Sequence, residues 1–196
     1  MGYSTDFHGS FDVSPPLSAE QTAYLRAFNE TRRMTRDPSI ASTLPDPVRD
    51  AVGLPIGPQG AYFVGGQGDF GQDNDASVVN YNREPIGQPG LWCQWTPTDD
   101  GTRIEWDGGE KFYEYEEWIQ YIITHFLQPW GCTLNGCVEW EGEHEEDIGA
   151  LTVTNNSVRI YTDRLEYEAD IQQKAIKQHT DPIAEGKDTP YTPLKI

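Results

Sequence analysis

Positive charge is scarce in this chain of 196 residues: 14 Lys and Arg face 32 Asp and Glu, a formal charge of −18 at pH 7. Such a surface is repelled by phosphate backbones and by anionic lipid, so direct contact with nucleic acid or with a membrane is not expected. Long apolar runs are missing as well; no segment approaches the ~18 residues that a spanning helix needs. The first residues, MGYSTDFHGSFDVS, hold neither a basic region nor an apolar stretch, which argues against a secretory signal. Asp6 stands where a myristoylation motif wants Ser or Thr. Cysteine is sparse, with Cys93, Cys132 and Cys137 an odd set of three. No disulfide framework is expected from them, and a reduced, cytoplasmic setting is. No nucleophile elbow, zincin string, Walker loop or kinase signature occurs.

What is present is a core. Hydrophobic residues make up 36% and aromatics 12% of the chain, enough for one folded domain. Residues 3–13 read as a strand carrying Tyr3, Phe7, Phe11 and Val13. Ser18 and Gln21 form a capping-box pair, Glu20 lies in the first turn, and Tyr24, Leu25 and Phe28 line one helix face. Arg32, Arg33 and Arg36 gather beyond that face, where cations suit the end of a helix dipole. From 37 to 90 proline and glycine punctuate the chain, so this stretch reads as an insertion. It holds one short helix, with Asp46 as cap, Pro47 at its first position and Gly53 as terminator, and one strand at 61–64.

The second half is clearer. Residues 91–96 and 103–107 read as strands joined by a turn at 98–102. Tyr115, Trp118, Ile119, Ile122 and Phe126 recur at helical spacing, and strands follow at 133–141, 149–154 and 157–161, the last pair joined at Asn155-Asn156. The expected class is α+β: an antiparallel sheet with two principal helices packed on one face, in a split βαβ-like order. Residues 1–161 form this single domain, with 37–90 as its Pro/Gly-rich insertion; 162–196 form a C-terminal extension, a helix near 163–178 and then a flexible tail.

Two features stand out as candidates for chemistry. Between Asp99 and Asp147 lie fourteen acids against only Arg103 and Lys111. Glu105 and Asp107 share one strand face, as do Glu139 and Glu141, because side chains repeat every two residues. If those strands are neighbours, four carboxylates tile one surface. All six tryptophans fall between 92 and 140. Trp106, Trp118 and Trp140 suit a core. Trp92 and Trp95, three apart on one strand, point to opposite faces, so one of them leaves it. Weaker strings fade: Gly66-Gln67-Gly68-Asp69-Phe70-Gly71 has no helix after it, and Cys132 with Cys137, near His125 and His144, makes only half a zinc site.

Gly90-Leu91-Trp92-Cys93-Gln94-Trp95, Ile104-Glu105-Trp106-Asp107-Gly108-Gly109-Glu110-Lys111-Phe112 and Phe126-Leu127-Gln128-Pro129-Trp130-Gly131 carry a resemblance. Leu134-Asn135-Gly136, Val138-Glu139-Trp140, Asp147-Ile148-Gly149 and Asn29-Glu30-Thr31-Arg32-Arg33-Met34 continue it. Over roughly residues 2–36 and 81–161 the chain resembles a group of small acidic proteins of unassigned function in bacterial and phage genomes. The resemblance implies a cytoplasmic accessory protein of such an origin; no catalytic role comes with it.

The expected function is therefore non-catalytic: an acidic binding protein docking on a basic site of a host protein, as a nucleic-acid mimic or anti-defence inhibitor. Glu105, Asp107, Glu139, Glu141, Glu143, Glu145 and Glu146 would form the contact surface, with Trp92 or Trp95 as apolar anchor. No catalytic residue, metal ligand or cofactor is singled out. The alternatives are a metal-dependent enzyme using the same carboxylates, a structural component of a virion or complex, and an acidic face that only keeps the chain soluble.

Overall fold

The computed structural model describes residues 3–144, 146–162 and 166–172. The first strand in the chain is central in the sheet. β1 (Thr5–Ser14) buries Phe7, Phe11 and Val13 on one side and exposes Asp6, His8 and Asp12 on the other, the period of two that a half-covered strand requires. It is flanked antiparallel by β5 (Arg103–Trp106) and β6 (Thr133–Gly142), in a six-stranded sheet ordered β4-β5-β1-β6-β7-β8. β4 (Trp95–Pro97), β7 (Ile148–Thr154) and β8 (Ser157–Tyr161) complete it, and every pairing is antiparallel.

Two principal helices cover the apolar face. α1 (Ala19–Asn29) starts at a complete capping box: Gln21 N donates to Ser18 Oγ at 3.2 Å and Ser18 N to Gln21 Oε1 at 2.9 Å. α4 (Tyr115–Ile122) continues into one π-helical turn, Ile123–Leu127, which keeps Phe126 and Leu127 buried. Tyr24, Leu25 and Phe28 of α1 and Trp118, Ile119 and Ile122 of α4 join Phe7, Phe11, Leu134, Val138 and Leu151 of the sheet in one core. The class is α+β, with the two principal helices on one side of an antiparallel sheet.

Several expectations need correction. The strand expected at 91–96 shrinks to β4, because residues 90–94 run irregularly toward α1. Residues 61–64 are not a strand; Ala61, Phe63 and Val64 are instead buried in irregular chain. A two-stranded ribbon of β2 (Thr35–Arg36) and β3 (Val78–Asn80) arises where none was expected. Residues 166–172 are helical; the remainder of the expected helix at 163–178, and the tail after it, lie outside the described residues.

The arginines are not helix-end cations. Arg26 occupies the last turn of α1, and Arg32, Arg33 and Arg36 lie beyond it. Arg33 and Arg36 are each 2% exposed and fasten the proline-rich segment to the core. Arg33 donates to the Phe63 carbonyl and stacks on Phe28 at 4.4 Å. Arg36 stacks on Phe63 and donates to Asp75 at 2.7 Å and Ser77 at 2.6 Å. Gly60 lies beneath it: a Cβ there would come within 2.8 Å of Arg36 Cβ, and φ is +76°. α2 (Pro38–Ala41) and α3 (Pro47–Ala51) are capped by Asp37 and Asp46. Asp46 also accepts from Val64 N at 3.0 Å, and Gln88 donates to the Ala61 carbonyl at 2.6 Å. Irregular backbone buried this way needs side-chain partners, and these residues supply them.

Candidate functional site

The helices cover one face of the sheet and leave the other to acids. Register brings Asp6 opposite Glu141, His8 opposite Glu139 and Asp12 opposite Asn135. On this face Asp6, Asp12, Glu139 and Glu141 are exposed and Glu105 is half-exposed. Among the described residues none of these five carboxylates has an ion-pair partner. Among the described residues, Arg103, opposite Asp12, and Arg159 share the face. At its β7–β8 end, residues 166–172 overhang a groove of about 300 Å³ lined by His8, Glu139, Glu141, Ile148, Tyr161 and Tyr167.

The four-carboxylate tile assumed that β5 and β6 are neighbours. They are not: β1 lies between them, which puts Glu105 two strand spacings, about 10 Å, from β6. β1 itself supplies Asp6 and Asp12, which the expectation omitted; their alternation with Phe7, Phe11 and Val13 was the signal for them. Asp107 is exposed but does not belong to this face. Beyond the end of β5, it accepts from Asn29 Nδ2 at 2.7 Å and Gly109 N at 2.7 Å, bracing a turn against α1. Glu143 accepts from Ser4 N at 2.8 Å in the β6–β7 loop, Glu146 is exposed there, and Glu145 lies outside the described residues.

Of the paired tryptophans, Trp95 is 1% exposed and donates to the Tyr115 carbonyl at 2.8 Å, so it is core and offers no anchor. Trp92 is the ring that leaves. Half-buried, it meets Phe70 edge-on at 6.3 Å and carries Arg32 at 5.6 Å from its centroid. Phe70, 65% exposed, was hidden in the glycine-rich string, whose backbone makes a single 3₁₀ turn, Asp69–Gly71, rather than opening a helix.

Among the described residues the thiols and histidines do not assemble a catalytic set. Burial pushes the Cys93 thiol up to about 12 and raises those of Cys132 and Cys137, all away from thiolate character. Cys132 sits against the Trp130 carbonyl, while Cys137 faces the open side of the sheet beside the Tyr167 hydroxyl at 3.2 Å. His125, on the π turn, bonds to the Tyr62 hydroxyl through Nδ1 at 2.9 Å, and burial lowers its pKa. Glu116 is held above the ordinary carboxylate range, by burial first and then by Glu117 and Glu114, but it belongs to the helix layer, across the sheet from Glu139. Among the described residues no three His, Cys, Asp or Glu side chains converge to hold a metal ion, and no helix is long and apolar enough to cross a membrane. Comparisons of the chain with protein-family models, with curated proteins and with solved structures find no match.

Proposed function

We propose that this chain is a non-catalytic acidic protein that docks through its open sheet face on a basic site of another protein, of the kind that otherwise receives a nucleic-acid backbone. A reducing, cytoplasmic setting suits three free cysteines, and an origin in a bacterium or its phage is what the resemblance read from the sequence implies. The observation that carries the reading is the pairing of Asp6 with Glu141, both exposed, on the face that the two principal helices leave open. Like charges directly opposite each other destabilise a sheet, so retaining them implies a benefit outside the fold. Carboxylates spread along strands at about 6.7 Å per same-face step suit a broad basic surface better than one small ligand.

The test is salt-gradient affinity capture on the immobilised chain from a nuclease-treated lysate of the native host, beside a Glu139→Lys/Glu141→Lys variant. A nucleic-acid-handling protein should be held by the original chain, released as salt rises, displaced by duplex DNA, and ignored by the variant. Equal retention by both, or retention indifferent to salt and DNA, would overturn the reading.

A further inference from the structure

On the other side of the molecule from the open face, beyond the end of α1, Phe70 stands between two cavities. One, of about 310 Å³, is lined by Glu30, Phe70, Trp92, Asp107 and Glu110 together with amide side chains. The other, of about 470 Å³, shares Glu30 and Phe70 and adds Asp69. Among the described residues no basic side chain lines either. The rings of Phe70 and Trp92 stand at 88° to each other, two walls of a corner whose rim is carboxylate.

The corner is built in advance. Phe70 has φ of +57°, a left-handed conformation uncommon for an aromatic residue, and its carbonyl accepts from Arg32 N at 3.0 Å. Gly71 N closes the turn onto the Gly68 carbonyl at 3.1 Å. Gly71 must be glycine, since a Cβ there would meet Thr31 Cγ2 at 2.9 Å with φ at +58°. An apolar ring held 65% exposed on a constrained backbone turn has little backbone freedom left to lose on binding. Arg32 lies 5.6 Å from the Trp92 ring centroid but stacks more closely on Tyr81, at 4.4 Å, and donates to the Tyr81 carbonyl and to Asn82, which leaves the Phe70 ring, among the described residues, without a cation of its own.

We infer that this corner receives an arginine side chain from a basic segment of a partner protein. Aromatic faces and carboxylates on one cavity are complementary to a planar cation that stacks and hydrogen-bonds in its own plane. A lysine satisfies the charge but not the stacking, and an acidic or neutral segment satisfies neither. The inference goes beyond the docking reading: the corner and the open face are separate surfaces, and the corner takes a basic segment of its own.

The probe is hexa-arginine, labelled for anisotropy and unlabelled for ¹H–¹⁵N spectra of the full chain, with the Trp92 indole assigned through Trp92→Phe. Binding should shift the Trp92 indole and the Phe70 amide, and hexa-lysine should bind more weakly. Phe70→Ala should weaken hexa-arginine about fivefold, the size of one cation–π contact. Glu30→Gln/Glu110→Gln, on exposed or rim positions that the fold tolerates, should weaken it similarly, whereas Glu117→Gln on the exposed side of α4 should not. Shifts confined to the sheet face, wild-type affinity in Phe70→Ala, or equal binding of the two peptides would overturn the corner while leaving the docking reading standing. Absence of any response at either place, at low salt, would remove both.

Discussion

From residue 91 to 161 the backbone satisfies itself in a sheet and a helix, which frees the side chains to pack as rings and aliphatics. Phe7, Trp95, Phe112 and Tyr115 meet at 4.9 to 6.3 Å, largely edge to face. Between 33 and 90 the ladders are two or three residues long, and buried charged or amide side chains bind the carbonyls and amides that secondary structure would otherwise pair. One region is therefore stabilised by area, the other by directed polar anchors. The two should fail differently when side chains are removed.

The largest effect is expected in the ring-packed half. Trp95→Ala should cost about 4 kcal/mol through lost burial and the cavity left behind. Chemical denaturation should register it as a fall in global stability, with hydrogen exchange accelerated throughout the sheet. Arg36→Met should cost about 2–3 kcal/mol, less than a fully buried pair because Asp75 retains access to water. Its signature should be local: faster exchange and proteolysis between 60 and 80 before the sheet yields. If Arg36→Met instead lowers the sheet and the segment together, the two regions are one cooperative unit and the contrast drawn above is wrong.

A neighbouring substitution sharpens the same contrast. Arg33 is as buried as Arg36 but has no carboxylate partner, and its Nε and Nη1 have no hydrogen-bond partner among the described residues. Burial lowers its pKa to about 10, so it remains charged at pH 7 at a desolvation cost. Arg33→Met should therefore cost no more than about 1 kcal/mol, the worth of its one bond to Phe63, in the same denaturation measurement. A loss as large as that of Arg36→Met would mean that stacking on Phe28 matters more than the hydrogen bonds.

The contrast also explains what was legible in the sequence. Capping box, helical spacing of Trp118 and Ile122, and the Asn155-Asn156 turn, with φ of 49° and 66°, are local signals, and each produced its element. Anchors such as Arg33 to Phe63 or Gln88 to Ala61 join residues 30 and 27 positions apart, and no local pattern encodes them. The same limit governed the candidate surface. Glu139 and Glu141 could be placed on one face by the strand period. That β1 separates β5 from β6 is a matter of sheet order, so Asp6 and Asp12 went unnoticed and Asp107 was misplaced. Phe70 was invisible for another reason: its exposure depends on a left-handed turn that the glycines permit without specifying.

Acid should reveal a smaller difference between the halves. His125 spans them, its ring 4.1 Å from Tyr121 and its Nδ1 on Tyr62. Its folded pKa is lowered, so the unfolded chain takes up a proton first. Stability is therefore fully present above the ordinary histidine value and declines as pH falls through and below it. His125→Gln keeps a hydrogen-bonding side chain without that titration. Melting temperatures of the two proteins across this window should diverge from parallel curves only below about pH 6.5; parallel curves throughout would show that the Tyr62 contact is not coupled to charge.

The smallest expected effect bears most on function. Glu141→Gln removes one member of the like-charged pair facing Asp6 without altering volume or strand propensity appreciably. It should stabilise the fold by a few tenths of a kcal/mol, at low salt more than at high, because the repulsion it relieves is exposed and screened. A gain of that sign means that the open face is kept acidic against the interest of the fold, which is what a docking surface requires. A loss would mean that Glu141 contributes to its own sheet, and the acidic face would then need no partner to account for it.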